Sequence, residues 1–182
     1  MNTELKYVDV HSPDFGRMKR LYKTAFPADE RAPFFLLSQM AKKEDVDFWG
    51  IYNDQKWVGL MYVVSEGDLS YLFYFAIDES ERGKGCGSGA LKALRKKYRG
   101  RRIFLAIEQL DKSAPNYDER VKRKSFYERS GFTALNQRLR EGSVVYELLG
   151  IGGRVEPEEY RWLMEKSVGR IMLRLVPMRI EE

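Results

Sequence analysis

LSYLFYFAI at residues 69–77, DESE at 78–81 and RGKGCGSGA at 82–90 form the stretch whose reading decides the fold. The first piece has a single polar residue, Ser70, and reads as a central strand covered on both faces. The second is a polar connection. In the third, glycines at 83, 85, 87 and 89 let backbone approach a ligand and adopt conformations closed to residues with a Cβ. Ala90, Leu91 and Leu94 then recur at helical spacing, so Gly85 to about Tyr98 reads as a helix that Gly100 ends. A glycine loop between a buried strand and a helix start presents unsatisfied amides at the positive end of a helix dipole, which is an anion site with phosphate as its usual guest. Arg82 and Lys84 add full positive charge.

Working outward, Glu4–Val10 alternates as a strand, and Asp14 is placed to cap a helix with the stripe Phe15, Met18, Leu21, Tyr22 and Ala25. Pro27 stops that helix, and a second is expected from Pro33 to about Lys43. Phe48–Tyr52 and Trp57–Val64 pair over a turn, and Glu66-Gly67-Asp68 turns the chain into the strand at 69–77. Downstream, Ile103–Ile107 is a buried strand ending in Glu108. Asp118 is expected to cap a helix that runs to Ser130, with Gly131 as its left-handed stop. Phe132–Arg138 and Ser143–Leu149 form a hairpin over Glu141-Gly142; Pro157–Lys166 reads as a short helix and 170–180 as an extended tail. The expected fold is α/β of mixed α+β kind: a central mixed, mostly antiparallel sheet flanked by helices. Residues 1–149 are read as one domain, and 150–182 as an extension on the same core.

The chain has 182 residues, which suits about one domain, so its core needs no staple. One cysteine, Cys86, excludes an internal disulfide and a cysteine-built zinc site; with one histidine, His11, no metal site is expected. No run approaches the ~18 apolar residues of a membrane span, and MNTELKYVDV has no signal-peptide pattern, so a cytoplasmic protein without a membrane partner is expected. The net charge of +5 is modest, but the cations cluster at 92–102 and 120–129. Such clusters suit a polyphosphate cofactor or a nucleic acid. No exposed-looking aromatics interleave with them, so nucleic acid is not expected.

Two phosphate-loop patterns fail. Residues 85–90 fit G-x-G-x-x-A, but seven residues separate that motif from its strand, and the upstream hairpins do not suit a dinucleotide fold. No G-K-[ST] follows the loop, which excludes a Walker site. Arg82-x-x-Gly85-x-Gly87 instead resembles the R/Q-x-x-G-x-G/A pyrophosphate loop of the GNAT superfamily of N-acetyltransferases. Phe126-Tyr127-Glu128-Arg129-Ser130-Gly131-Phe132 resembles the FYxxxGF segment of that family, 39 residues beyond Gly87 with a strand between. The order of elements agrees across residues 4–149. Arg120 and Arg123 stand where many relatives carry Asn and Ala, which opens the question of whether these arginines meet cofactor phosphates.

The resemblance implies an acetyl-CoA-dependent N-acetyltransferase that transfers acetyl directly to a primary amine. A catalytically silent acyl-CoA-binding regulator is the alternative. It implies that Phe75, Ala76 and Ile77 pair the pantetheine arm through their backbone, with the Ile77 amide as oxyanion donor. It also implies that Arg82, Gly83, Lys84, Gly85, Cys86, Gly87 and Ser88 hold the pyrophosphate. Tyr127 matches the donor to the CoA sulfur. Glu108, at its strand end, is the candidate base, acting directly or through water. The connection from Pro27 to Pro33 is a candidate acceptor loop, with Glu30 and Arg31 as substrate-binding residues; Asp29, Glu66 and Asp68 are further acidic candidates. The acceptor stays unnamed, and homodimer formation through 150–182 stays open.

Overall fold

In the computed structural model, β3 (Lys56–Glu66) turns through Gly67-Asp68 into β4 (Leu69–Ile77), with β3 buried along nearly its whole length. The structure describes residues 2–28, 31–141, 144–168 and 178–181. The other elements are β1 (Thr3–Tyr7), α1 (Pro13–Ala25), α2 (Phe34–Met40), β2 (Val46–Asn53), α3 (Cys86–Lys97), β5 (Arg102–Glu108), α4 (Tyr117–Arg129), β6 (Thr133–Glu141), β7 (Val144–Ile151), α5 (Pro157–Val168) and β8 (Met178–Glu181). Among the described residues these eight strands form one sheet in the order β1-β2-β3-β4-β5-β7-β6-β8. β4 and β5 run parallel, pairing Leu69, Ser70 and Tyr71 with Arg102, Ile103 and Phe104. The β1-β2, β2-β3, β5-β7, β6-β7 and β6-β8 pairs are antiparallel. The expected mixed, mostly antiparallel sheet with helices is therefore what the chain forms.

The residues cluster in two compact units, 1–64 with 72–99, and 65–71 with 100–182. In the first, α1 buries Met18, Leu21 and Tyr22, and Phe15 meets Phe34 of α2 edge-on at 5.4 Å. β3 cannot carry a side chain at Gly59, where a Cβ would lie 2.4 Å from the Ala76 carbonyl oxygen. α3 lies equally close to β1: a Cβ on Gly89 would stand 2.2 Å from Thr3 Oγ1. The fourth glycine of the loop is thus a packing residue.

In the second unit, Tyr71 and Phe104 stack at 4.4 Å, with Tyr160 of α5 against both rings. Gln137, buried on β6, donates to the Val155 carbonyl (2.8 Å) and accepts the Val155 amide (3.0 Å). Arg102 bonds Asp68 through Nε and Nη2 (2.8 and 2.7 Å), Glu159 through both Nη atoms (3.0 and 2.6 Å) and the Arg154 carbonyl (2.7 Å). These bonds tie residues 154–159 to β5 and β6, and the ring contact with Tyr71 ties Tyr160 to β4.

Local boundaries differ from the sequence reading. Ser12, rather than Asp14, caps α1 by accepting the Asp14 amide at 3.2 Å, and Asp14 lies in the first turn, where its charge complements the dipole. Asn116 is the residue before α4, and Asp118 sits inside its first turn. β1 stops at Tyr7, because Ser12 N–H bonds the Asp9 carbonyl and bends the chain. α2 spans only Phe34–Met40, with Pro33 as its cap position. The turn at Gly142-Ser143 and residues 170–177 of the expected tail lie outside the described residues; Met178–Glu181 pairs as a strand with β6.

Replacing Gln137 by Leu strands a buried amide and carbonyl of Val155, each worth about 1–3 kcal/mol. The urea midpoint should fall by the equivalent of at least ~2 kcal/mol, and an unchanged midpoint would contradict the bond's importance. Glu159 is held below its ordinary value of 4.5, first by the Arg102 hydrogen bond. A depressed folded value contributes stability above the unfolded value and loses it as pH falls through the folded one. The denaturation midpoint should therefore drop as the pH goes below about 4.5. Glu159→Gln should flatten that dependence.

Candidate functional site

In the first unit, the polar connection is a wound and anchored turn. Asp78 accepts from Ser80 N (3.1 Å) and Ser80 Oγ (2.6 Å), capping a 3-10 turn at Glu79–Glu81, and its amide donates to Val58 O at 2.8 Å. The Glu81 side chain is nearly buried and bonded to Lys56 and Lys84, which together hold its carboxyl below the usual range, Lys56 foremost. Arg82 donates through Nε to the Ile77 carbonyl at 3.2 Å, so its guanidinium is held at the end of β4.

Gly83 and Gly85 have φ of 72° and 79°, the left-handed region that glycine enters without a steric penalty. Gly85 is the cap position of α3, and the first helical bond closes from Gly89 N to Gly85 O at 3.0 Å. The amides of Cys86, Gly87 and Ser88 thus precede any intrahelical acceptor. Arg82, Gly83, Lys84, Gly85 and Ser88 are exposed, and α3 has no acidic residue in its first turn. The arrangement is a cationic cradle of outward amides, suited to a phosphate. Cys86 differs from its neighbours: its side chain is 1% exposed, so its thiol is packed inward and only its amide is available to such a guest.

Phe75, Ala76 and Ile77 close β4. Phe75 is half-buried, and Ala76 and Ile77 are buried. Behind them lies an aromatic group. Tyr22, Phe26 and Tyr74 touch one another at centroid distances of 5.6, 5.0 and 4.9 Å. The backbone of Ala32 is clasped over it, donating from N to the Tyr74 hydroxyl (3.2 Å) and accepting at O from the Tyr22 hydroxyl (2.9 Å). Tyr62 lies beside Tyr74; its fully buried hydroxyl has no hydrogen-bond partner among the described residues, a cost of about 1–3 kcal/mol. Arg31 donates to the Lys23 carbonyl at 2.6 Å. Asp29 and Glu30 lie outside the described residues.

In the second unit, Glu108 ends β5 within a basic enclosure. Its Oε1 meets Arg120 Nη2 at 2.7 Å; its Oε2 meets Arg123 Nη1 at 3.1 Å and accepts from Asn116 Nδ2 at 3.4 Å. Arg120 also bonds Asn116 Oδ1 and the Gln109 carbonyl, both at 2.8 Å, so one guanidinium joins the strand end to the first turn of α4. Both of these arginines are paired with Glu108 in the structure. A carboxylate offers about four lone-pair positions, so one remains open at Oε1 after three donors. Tyr127 lies on α4 against Phe126 and Phe132, at 5.2 and 5.9 Å between rings. Burial pushes its phenol up to about 12, with the Arg123 charge pulling slightly the other way, so it is protonated at neutral pH.

Two acidic candidates are engaged elsewhere. Asp68 pairs with Arg102, and Glu66 with Lys166. His11 is exposed, in the bend before α1. No cluster of metal-binding side chains occurs among the described residues, and none of their helices is long and apolar enough to cross a membrane. The sequence reading missed Asn116 and the Arg120 and Arg123 pairing because these bonds join separate elements. It also missed Glu81, whose spacing of three from Lys84 was the available signal.

The profile of the acetyltransferase (GNAT) family matches residues 15–132. The chain belongs to that family of acyl-transferring enzymes. Among solved structures, a GNAT-family protein from Bacteroides thetaiotaomicron is 20% identical, with a TM-score of 0.69 over 94% of this chain and 98% of its own. The ribosomal-protein-S18-alanine N-acetyltransferase from Escherichia coli is 15% identical, with a TM-score of 0.61 over 86% and 97%. A GNAT acetyltransferase from Elizabethkingia anophelis, solved with acetyl-CoA bound, is 11% identical, with a TM-score of 0.56 over 82% and 97%. At these identities the likeness concerns the fold. Comparison with curated proteins found no match.

The half-buried Tyr127 phenol predicts a spectroscopic result. In a rapid pH-jump titration of tyrosinate absorbance, Tyr127→Phe should remove a step centred near pH 12. Loss of a step near the ordinary value of 10 would show the phenol to be solvated.

Proposed function

We propose that the protein is an acetyl-CoA-dependent N-acetyltransferase that passes acetyl directly to a primary amine. The observation that carries this reading is the exposed cradle at 82–88: left-handed glycines, outward amides at a helix start and two cations, next to the end of a buried strand. A linear diphosphate matches it in charge and in its demand for several N–H donors. Arg82 and the amides of Gly83, Lys84, Gly85, Cys86, Gly87 and Ser88 would hold the pyrophosphate. The backbone of Phe75, Ala76 and Ile77 would pair the pantetheine arm as an added strand does. Bound there, acetyl-CoA supplies an activated acyl thioester.

The residues divide the remaining work. An attacking amine must shed a proton, since free amines ionise at about 8 to 10.4. The open position on Glu108 Oε1 can take that proton through a water, the other three being occupied by Arg120, Arg123 and Asn116. The Ile77 N–H would stabilise charge on the carbonyl oxygen as the N–C bond forms. Tyr127, protonated at neutral pH, would give its proton to sulfur as the C–S bond breaks. Arg31 and Glu30 would meet the acceptor. We read 1–149 as the catalytic domain and 150–182 as an extension on it.

Acetyl-CoA should raise the melting temperature, while acetate should not. Arg82→Ala and Gly85→Val should each raise KM for acetyl-CoA about 10-fold, as one charge-assisted contact or a strained turn is lost. Tyr127→Phe should lower kcat about 10-fold to 100-fold with KM for acetyl-CoA little changed. Release of free thiol with a panel of primary amines is the assay. Stabilisation by acetyl-CoA without thiol release from any amine would point to the silent regulator, and no stabilisation at all would end both readings.

A further inference from the structure

Residues 78–84 hold Arg82 and Lys84, but they also hold Asp78, Glu79 and Glu81, so the segment's own formal charge is negative. A diphosphate brought against it would meet repulsion from any carboxylate left without a counterion. Glu81 is the one of these three acids that is buried, and it stands immediately before Arg82. The loop itself supplies a single ion-pair partner for it, Lys84, whose Nζ lies 3.3 Å from Oε2. A lysine drawn wholly to that carboxylate is lost to a phosphate. The nearer partner comes from another element: Lys56 Nζ meets Oε1 at 2.5 Å. Lys56 opens β3, directly after the left-handed turn at Asp54 and Gln55. Its strand is fastened to the connection independently of the ion pair. Val58, two residues on, accepts the Asp78 amide at 2.8 Å, and Gly59 lies so near β4 that a Cβ would stand 2.4 Å from the Ala76 carbonyl oxygen. The backbone thus brings Lys56 to Glu81. Because its side chain is largely exposed, the pair adds little to stability. What the Lys56 charge changes is the electrostatic field at the glycine loop.

We propose that Lys56 is a positioning residue for the coenzyme: it neutralises the Glu81 carboxylate and so leaves Lys84 available to the diphosphate. This rests on the acetyl-CoA reading above and adds to it a residue outside the glycine loop. An ammonium has three donors, so Lys84 can keep one N–H on Oε2 and turn the others to a phosphate while Lys56 balances the Glu81 charge. Without Lys56, Lys84 is the one ion-pair partner that Glu81 retains among the described residues. The carboxylate then holds that ammonium against the guest and faces the phosphates with less of its charge balanced. Lys56 itself touches no phosphate in this scheme; it acts through Glu81.

The test titrates acetyl-CoA into the full-length protein by calorimetry, which reads binding whether or not an acceptor is known. Lys56→Met should weaken acetyl-CoA binding about 10-fold, while its melting temperature without ligand stays near that of the wild type. In thiol release, KM for acetyl-CoA should rise by the same factor with kcat at saturation unchanged. The decisive comparison repeats the replacement in a Glu81→Gln background, or in Glu81→Met should the first not fold. There Lys56→Met should change binding by less than ~2-fold, because no carboxylate is left to claim Lys84. An undiminished loss in that background would show Lys56 meeting phosphate directly and overturn the proposal. Unaltered binding in Lys56→Met alone would overturn it as well. Both of those results leave acetyl-CoA binding by the wild type in place. No heat from acetyl-CoA with the wild type would instead overturn the cofactor reading, and the role of Lys56 with it.

Discussion

Everything at the proposed cofactor site depends on the backbone turning left-handed at Gly83 and again at Gly85. A side chain at either position would meet the Cβ–carbonyl conflict that closes this region to most residues. The turn brings the chain out of the 3-10 segment and into α3 with its first amides facing solvent. Neighbouring bonds fix its position: Glu81 to Lys56 and Lys84, the Asp78 amide to Val58, and Arg82 to Ile77. Gly89 then lets α3 sit against β1 more closely than any side chain would permit. The glycines therefore do two different jobs within seven residues, the early ones setting backbone direction and the last one setting packing distance.

The amino-acid pattern showed the parts of this arrangement that depend on neighbours in sequence. The run at 69–77 is β4 residue for residue, because an almost unbroken apolar stretch bounded by Asp68 and Asp78 has no other stable register. The glycine loop and the helix after it were legible for the same reason. Caps were less so: Ser12 and Asp14, or Asn116 and Asp118, are two residues apart, and either member of each pair has a side chain able to cap. The surroundings of Glu108 were not legible. Arg120 and Arg123 look like a solvated helix face in one dimension, and only the approach of α4 to the end of β5 turns them into its counterions. The clasp on Ala32 was hidden likewise, since it ties an alanine to β4 across 42 residues of sequence.

Residues after Gly150 illustrate the same limit. Their helix could be read from composition, but what fastens them is a set of distant polar groups: Gln137 on one strand and Arg102 on another. Arg102 belongs in sequence to the acid-free basic run, yet its guanidinium is enclosed by Asp68, Glu159 and a carbonyl. Charge clustering along a chain is thus a poor guide to which cations are available to a ligand. Here one arginine of the run is structural.

The sealed Cys86 side chain has a practical corollary. It is the chain's one sulfhydryl, and it opens a helix whose amides face outward while its sulfur is packed away from solvent. Disulfide dyes that colour on meeting a mercaptan will therefore stay silent toward the native protein and report the released coenzyme alone. In the absence of coenzyme, slow labelling of that sulfur becomes a clock for fraying of the first turn of α3, giving a reading of local opening at the one place where the cradle is built.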